Sequence, residues 1–342
     1  MTMLNWAILG TSFISNTVAE ALRESKGSRV ASAFGRDPQR LAAFAQTYGI
    51  EKTSTKLDAI LDDPAIDVVY VGLPNHIHAE AVCAAAARGK AILSEKSLTR
   101  TVEEAEALIA AVDNADIFFL EGLMYLAHPL MARVGNIIAS GRLGRLCSVS
   151  GHYAAAIAPF ANPLGGGTIF NLGCYPASLL HYVIEASFGG DAFRRFQCVA
   201  TGNISASDGT VCDASLAVRF DNGLIATLQS TDSIGMDHAF TVLGEKGSLR
   251  FITNPWLPVA GDNVIEVTDY GNMPERVIVT SDRDAFGHQV ELVEKCLSQG
   301  FKSAPRPSPS PAHSLEIMRL LSEWERQIRA NTREHEGWPR KK

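Results

Sequence analysis

Apolar residues in the first third of the chain fall into short unbroken runs, each followed by a stretch with helical spacing. Trp6-Ala7-Ile8-Leu9 is the first run, after which Ile14, Val18 and Leu22 recur at helical intervals, predicting strand, tight turn and helix. Arg29–Phe34 predicts a second strand. Val68-Val69-Tyr70-Val71 predicts a third, apolar throughout as in a sheet covered on both faces. Ala79–Arg88 then predicts a helix with Gly89 at its C-cap, and Ala91-Ile92-Leu93 a strand. Thr101–Val112 predicts a helix opened by Thr101-x-x-Glu104, and Ile117–Leu120 a last strand. Strands alternating with helices imply a doubly wound parallel sheet, whose ligands bind past the carboxyl ends of the strands. Pro74, Asn75, His76, Glu95, Lys96 and Glu121 all fall at such ends.

From about Leu146 the pattern changes. Cys147–Tyr153, Asp213–Phe220, Leu224–Ser230, Phe240–Leu243 and Ser248–Ile252 alternate or are β-rich, with turns such as Asp221-Asn222-Gly223 and Glu245-Lys246-Gly247 between them. Gly165-Gly166-Gly167 lacks the ending of a phosphate loop and reads as a flexible approach to an apolar helix through Leu179, Leu180 and Val183. The expected class is α/β: an N-terminal Rossmann-type parallel sheet over residues 1–122, then an α+β domain over 123–330 with a large, mostly antiparallel open sheet. A final helix at about residues 314–329 is expected to pack back on the first domain, and residues 331–342 form a charged tail.

Composition agrees with this division. A chain of 342 residues exceeds one ordinary core. With 46% hydrophobic and 20% charged residues it reads as globular, and no window reaches the unbroken apolar length of a membrane span. No signal peptide is expected, because the N-terminus runs straight into a strand. Cys83, Cys147, Cys174, Cys198, Cys212 and Cys296 form no CxxC pair, which suggests reduced thiols in a cytoplasm and neither a disulfide frame nor a zinc site. A net charge of −6 gives no support to a nucleic-acid partner.

The candidate chemistry starts at Gly10-Thr11-Ser12-Phe13-Ile14-Ser15. A dinucleotide fingerprint needs glycines where the backbone approaches a pyrophosphate; here Gly10 is kept and Ser12 and Ser15 take the other two places. The turn reads either as an ordinary strand–helix connection or as this nucleotide loop, and the units that follow it favour the latter. Where an NAD site carries a carboxylate, this chain has Gly35 and then Arg36, whose guanidinium suits a 2′-phosphate. NADP is therefore expected over NAD, with Asp37 the opposing residue. The expected cofactor residues are Gly10, Thr11, Ser12, Phe13, Ile14, Arg36, Leu73, Pro74, Asn75, His76, Glu95 and Lys96. His76 and His78 lack a third ligand at metal spacing, so no metal is expected; both read as lying at a helix N-terminus beside the cofactor, His76 closer to it, with a structural role for His78 equally open. Glu121, His152 and His181 are candidate substrate contacts, although His181 reads first as a packed core histidine.

The order and spacing of these motifs resemble the glucose–fructose oxidoreductase / inositol dehydrogenase (Gfo/Idh/MocA) family over nearly the whole chain. The resemblance rests on the Gly10 turn, Pro74-Asn75-His76-x-His78, Glu95-Lys96-Ser97, Gly165–Tyr175, Phe220-Asp221-Asn222-Gly223 and Gly244-Glu245-Lys246-Gly247. It is nearest to the dihydrodiol dehydrogenase, anhydrofructose reductase and xylose dehydrogenase branch. The resemblance implies hydride transfer between a nicotinamide and a carbinol or ketone carbon of a sugar, cyclitol or related polyol. It also implies a homodimer or homotetramer formed through the open sheet. Lys96 matches the lysine of the family's Glu-Lys-Pro triplet, with Ser97 in place of proline. Tyr175 matches the branch's tyrosine, and Asn171 replaces its aspartate. Either Tyr175 relays the proton while Lys96 lowers its pKa, or Lys96 is itself the acid/base and Tyr175 orients the substrate. Asn171 and Ser97 also motivate an alternative: a non-catalytic NAD(P)-binding sensor or scaffold.

Overall fold

The computed structural model of the chain describes residues 3–331. The expected tail over 331–342 lies, beyond Asn331, outside the described residues. Two compact units emerge: residues up to Ala127 together with Ala285–Leu315, and His128–Asp284 together with the residues from Glu316.

The first unit is built on a six-stranded parallel sheet. Its strands are β1 (Leu4–Leu9), β2 (Ser28–Phe34), β3 (Lys52–Ser54), β4 (Val68–Val71), β5 (Ala91–Glu95) and β6 (Phe119–Gly122), in the order β3-β2-β1-β4-β5-β6. Between them run α1 (Phe13–Glu24), α2 (Pro38–Tyr48), α3 (Leu57–Leu61), α4 (His78–Ala86) and α5 (Val102–Ala115). The apolar runs read from the sequence are the sheet's centre: Trp6 to Leu9 and Val68 to Val71 are all fully buried. α5 starts on the Thr101 capping box with Glu104 that the sequence predicts. Strand order reverses between β1 and β4, the switch point where open parallel sheets bind ligands.

Two local expectations change. β3 is a three-residue edge strand without an apolar run, so periodicity gave no signal for it. β6 lies two residues later than expected, because its ladder to β5 pairs Ile92 with Phe119 and continues to Glu95 with Gly122. Glu121 is therefore inside a strand and not past its end.

The second unit holds α6 (Pro129–Ala139), α7 (Cys174–Phe188) and an eight-stranded sheet. Its strands are β7 (Leu146–Ala155), β8 (Phe196–Ile204), β9 (Val211–Phe220), β10 (Ile225–Thr231), β11 (Met236–Gly244), β12 (Gly247–Phe251), β13 (Gly261–Asp269) and β14 (Glu275–Ser281). The order is β14-β13-β12-β11-β7-β10-β9-β8, antiparallel except for the parallel pair β7 and β10. One face is packed by Val149, Tyr153, Leu216, Leu228, Phe240 and Leu249, all buried. The opposite face carries exposed Val199, Ile225 and Leu243. α8 (Ala285–Ser298) belongs to the first unit, and α9 (Pro311–Asn331) runs from residues of the first unit into those of the second.

The Gly165–Gly167 run is not a loose approach. All three glycines are buried, and Gly167 bridges to Val211 of β9 at φ +82°. A Cβ on Gly167 would stand 2.2 Å from the Val211 carbonyl oxygen, so only glycine permits this backbone-to-backbone contact.

Candidate active site

In the first unit the candidate residues gather at the carboxyl ends of β1, β4 and β5. Gly10 turns the chain at φ +108°, and a Cβ there would meet the Gly72 carbonyl oxygen at 2.7 Å. The serines in the other fingerprint positions tie this turn down. Ser12 Oγ donates to the Gly72 carbonyl at 3.2 Å and lies 3.2 Å from Ser15 Oγ. No side chain caps the first turn of α1, whose amides thus face outward from a positive helix end. Thr11 and Ile14 are half-buried, and Phe13 is exposed. Arg36 is exposed at the end of β2, whereas Asp37 Oδ1 accepts from the Gln39 and Arg40 amides and caps α2.

Leu73 and Pro74 follow β4 and lead into a short turn at Asn75–Ile77. His76 Nδ1 is buried and has no hydrogen-bond partner among the described residues. An orphaned polar atom beside a glycine turn and an uncapped helix start fits a bound dinucleotide.

Lys96 follows β5 directly and is half-buried; the Lys96–Ser97 peptide is cis. Glu95 is buried, receives the Tyr70 hydroxyl at 3.0 Å, and burial pushes its carboxyl pKa up. Glu121 is buried too, and burial pushes it up to about 7. Ser314, the Leu98 backbone and the Lys96 charge oppose the shift, and the Glu95 charge adds to it. Glu121 Oε2 meets no partner at hydrogen-bond geometry among the described residues. Glu95, Lys96 and Glu121 thus form one electrostatic neighbourhood.

In the second unit, Asn171 sits in a π-helical turn at Ile169–Gly173, and Tyr175 is the second residue of α7. Asn171 Nδ2 donates to Asp232 Oδ2 at 3.3 Å, and Asp232 is fully buried. The Tyr175 ring meets Tyr153 edge-on at 5.3 Å and Trp256 at 6.1 Å. Burial pushes Tyr153 up to about 12. Asp232, Tyr153 and Trp256 were not singled out from the sequence. Tyr153 had a signal in period two, since it neighbours His152 on β7; Asp232 and Trp256 had none.

The two candidate histidines of the second unit make no contact with the Tyr175 ring among those described above. His152 alternates with Tyr153 along β7 and so faces the opposite side of the sheet. There its Nε2 lies 3.2 Å from Asp237 Oδ2, and with Thr201, Asp213, Ser215 and Gln229 it lines a cavity of about 540 Å³. His181 is fully buried, 2.8 Å from Glu316 Oε2, with its ring tilted against that of Phe193 at 4.6 Å. Arg194 Nε donates to the other oxygen of Glu316 at 2.7 Å. Burial pushes the Glu316 carboxyl up, but these hydrogen bonds prevail and hold it at about 2. His181 is placed as the packed core histidine of the sequence analysis. Among the described residues, no three His, Cys, Asp or Glu side chains cluster as metal ligands, and no helix is long and apolar enough to cross a membrane.

Two family models match this chain. The oxidoreductase family with an NAD-binding Rossmann fold matches residues 4–122, and the GFO/IDH/MocA C-terminal domain matches residues 131–250. The chain belongs to the Gfo/Idh/MocA oxidoreductase family. Among curated members, D-xylose 1-dehydrogenase (NADP(+)) 2 of Haloferax volcanii is 29% identical over 92% of this chain and 94% of its own. A trans-1,2-dihydrobenzene-1,2-diol dehydrogenase of Oryctolagus cuniculus is 25% identical over 84% and 87%. A solved 3-ketoreductase from Actinomadura kijaniata in complex with NADP superposes with a TM-score of 0.81 at 21% identity, covering 97% of this chain and 98% of that one. An aldose-aldose oxidoreductase from Caulobacter crescentus gives 0.80 at 22% identity, covering 96% and 98%. These two structures share the Gfo/Idh/MocA fold with this chain.

Proposed function

We propose that the chain is an NADP-dependent oxidoreductase that transfers a hydride between the nicotinamide and a carbinol or ketone carbon of a sugar, cyclitol or related polyol. Lys96 carries the reading. It is a half-buried ammonium one residue past a buried strand, at the ligand-binding end of a parallel sheet that also bears the Gly10 turn. The preference for NADP is supported by Asp37. Its Oδ1 caps α2, and exposed Arg36 remains for a 2′-phosphate. A relative is itself named for NADP.

Bound NADP supplies or takes the hydride. The Gly10 turn and the uncapped start of α1 hold the pyrophosphate, and Leu73–His76, with Glu95 behind them, form the rest of its bed. Lys96 holds the reacting oxygen, and Tyr175 passes the remaining proton. In the variant assignment Lys96 moves that proton and Tyr175 orients the substrate. Asn171 offers hydrogen bonds to a substrate hydroxyl but cannot be a base; its amide donates to the buried carboxylate of Asp232. Glu121 acts behind Lys96 as a buried carboxyl. The six cysteines, scattered without a CxxC pair, support a cytoplasmic setting. A homodimer or homotetramer through the exposed face of the eight-stranded sheet completes the reading.

Fluorescence titration with NADPH and NADH, followed by turnover on a panel including D-xylose and 1,5-anhydro-D-fructose, tests this. NADPH is expected to bind at least about tenfold tighter than NADH, and Arg36→Ala to erase the difference. Tighter NADH binding contradicts the cofactor preference. Tight NADPH binding with no turnover on any sugar favours the sensor, for which Asn171 is the motive.

A further inference from the structure

His78 opens α4 with its ring fully buried and both nitrogens against backbone carbonyls. Nε2 lies 2.7 Å from the Leu73 oxygen, while Nδ1 lies 3.2 Å from the Ser97 oxygen and 3.2 Å from that of Leu98. Leu73 follows β4; Ser97 and Leu98 follow β5, the parallel neighbour of β4. One imidazole therefore spans the loop assigned to the cofactor and the turn that carries Lys96.

A neutral imidazole has a single N–H to donate. Each nitrogen faces backbone carbonyls only, so whichever one carries the proton donates a hydrogen bond, Nε2 to Leu73 or Nδ1 to the Ser97–Leu98 turn. Burial, aided slightly by His76, pushes the ring down to about 4, against the opposing pull of the three carbonyls. At neutral pH the ring is thus a buried neutral spacer wedged between the two loops.

We propose that His78 is a positioning residue for Lys96, fixing the Lys96-Ser97-Leu98 turn against the Leu73–His76 loop. The proposal rests on the reading of Lys96 as the group at the reacting oxygen. Imidazole suits the task because its nitrogens project from different edges of one plane and reach two loops at once. A glutamine amide carries its polar atoms at one end, and a phenylalanine ring fills the space with no polar atom.

Acetylation of lysines in the full chain, read by peptide mass spectrometry, tests it without substrate. Lys90 is the internal control. It is buried, with Nζ donating to the Asp63 oxygen at 2.7 Å and the Ile66 oxygen at 2.9 Å. In His78→Phe, labelling of Lys96 is expected to rise about fivefold, the ratio for losing the one hydrogen bond in the bridge between the two loops, while Lys90 stays protected. His78→Gln should be intermediate, and NADPH-linked turnover should fall in the same order. Unchanged Lys96 labelling in both variants, with Lys90 protected, overturns the proposal. If His78→Phe also exposes Lys90 it has unfolded, and His78→Gln alone decides by the same criterion. Lys96→Met is assayed separately: wild-type turnover there defeats the reading of Lys96, an outcome distinct from any labelling result.

Discussion

The two units carry their candidate residues in opposite ways. In the first, Gly10, Leu73–His76 and Lys96 each follow a strand of one parallel sheet, so local chain order places them at the same edge. In the second, Tyr175 is held by Tyr153 and Trp256, and Asn171 by Asp232, partners from distant stretches of the chain. The first arrangement needs backbone room, supplied by glycine. The second needs side-chain packing and buried hydrogen bonds.

Substitutions can break each arrangement separately. Gly10→Val should have the largest effect. Its side chain has no space above Gly72 and its φ is unsuited to a branched residue, so NADPH binding should vanish in fluorescence titration, with a stability loss of about 3 kcal/mol. Tight NADPH binding by this variant would remove the turn from the cofactor site. Glu316→Gln should come next, acting on stability alone. The Glu316 carboxyl is held at about 2, below its ordinary 4.5. Its stabilisation is therefore complete above about pH 4.5 and is lost as pH falls toward 2. The variant should lose about 3 kcal/mol at neutral pH in urea unfolding and show a flatter acid limb. An acid limb identical to wild type would refute this coupling. The smallest effect is expected for His152→Ala, on the sheet face away from Tyr175: turnover within about twofold and stability within about 0.5 kcal/mol of wild type. A large loss of turnover would return His152 to the substrate site.

The same contrast explains what could be read from the sequence. Trp6–Leu9 and Val68–Val71 are apolar because they are covered on both faces, so the parallel sheet was legible, and with it the strand ends where Lys96 and His76 lie. β3 was not legible, since three exposed edge residues carry no period. β6 was set two residues early, leaving Glu121 past its end, because pairing, and not hydrophobicity, ends the strand. In the second unit alternation revealed the sheet. It could not reveal that Asp232 meets Asn171 across 61 positions, or that Trp256 lies against Tyr175. Nor could the spacing of His181 disclose its partner Glu316, 135 positions away.

The central claim is that Lys96 and Tyr175 serve one hydride transfer. Single-turnover oxidation of NADPH by the best carbonyl substrate, measured in wild type, Lys96→Met, Tyr175→Phe and the double variant, tests it most directly. Each single change should slow the step by about 10²- to 10³-fold with NADPH affinity retained, and the double variant should be little slower than the worse single one. Wild-type rates in both single variants, or losses that multiply in the double variant, would contradict it.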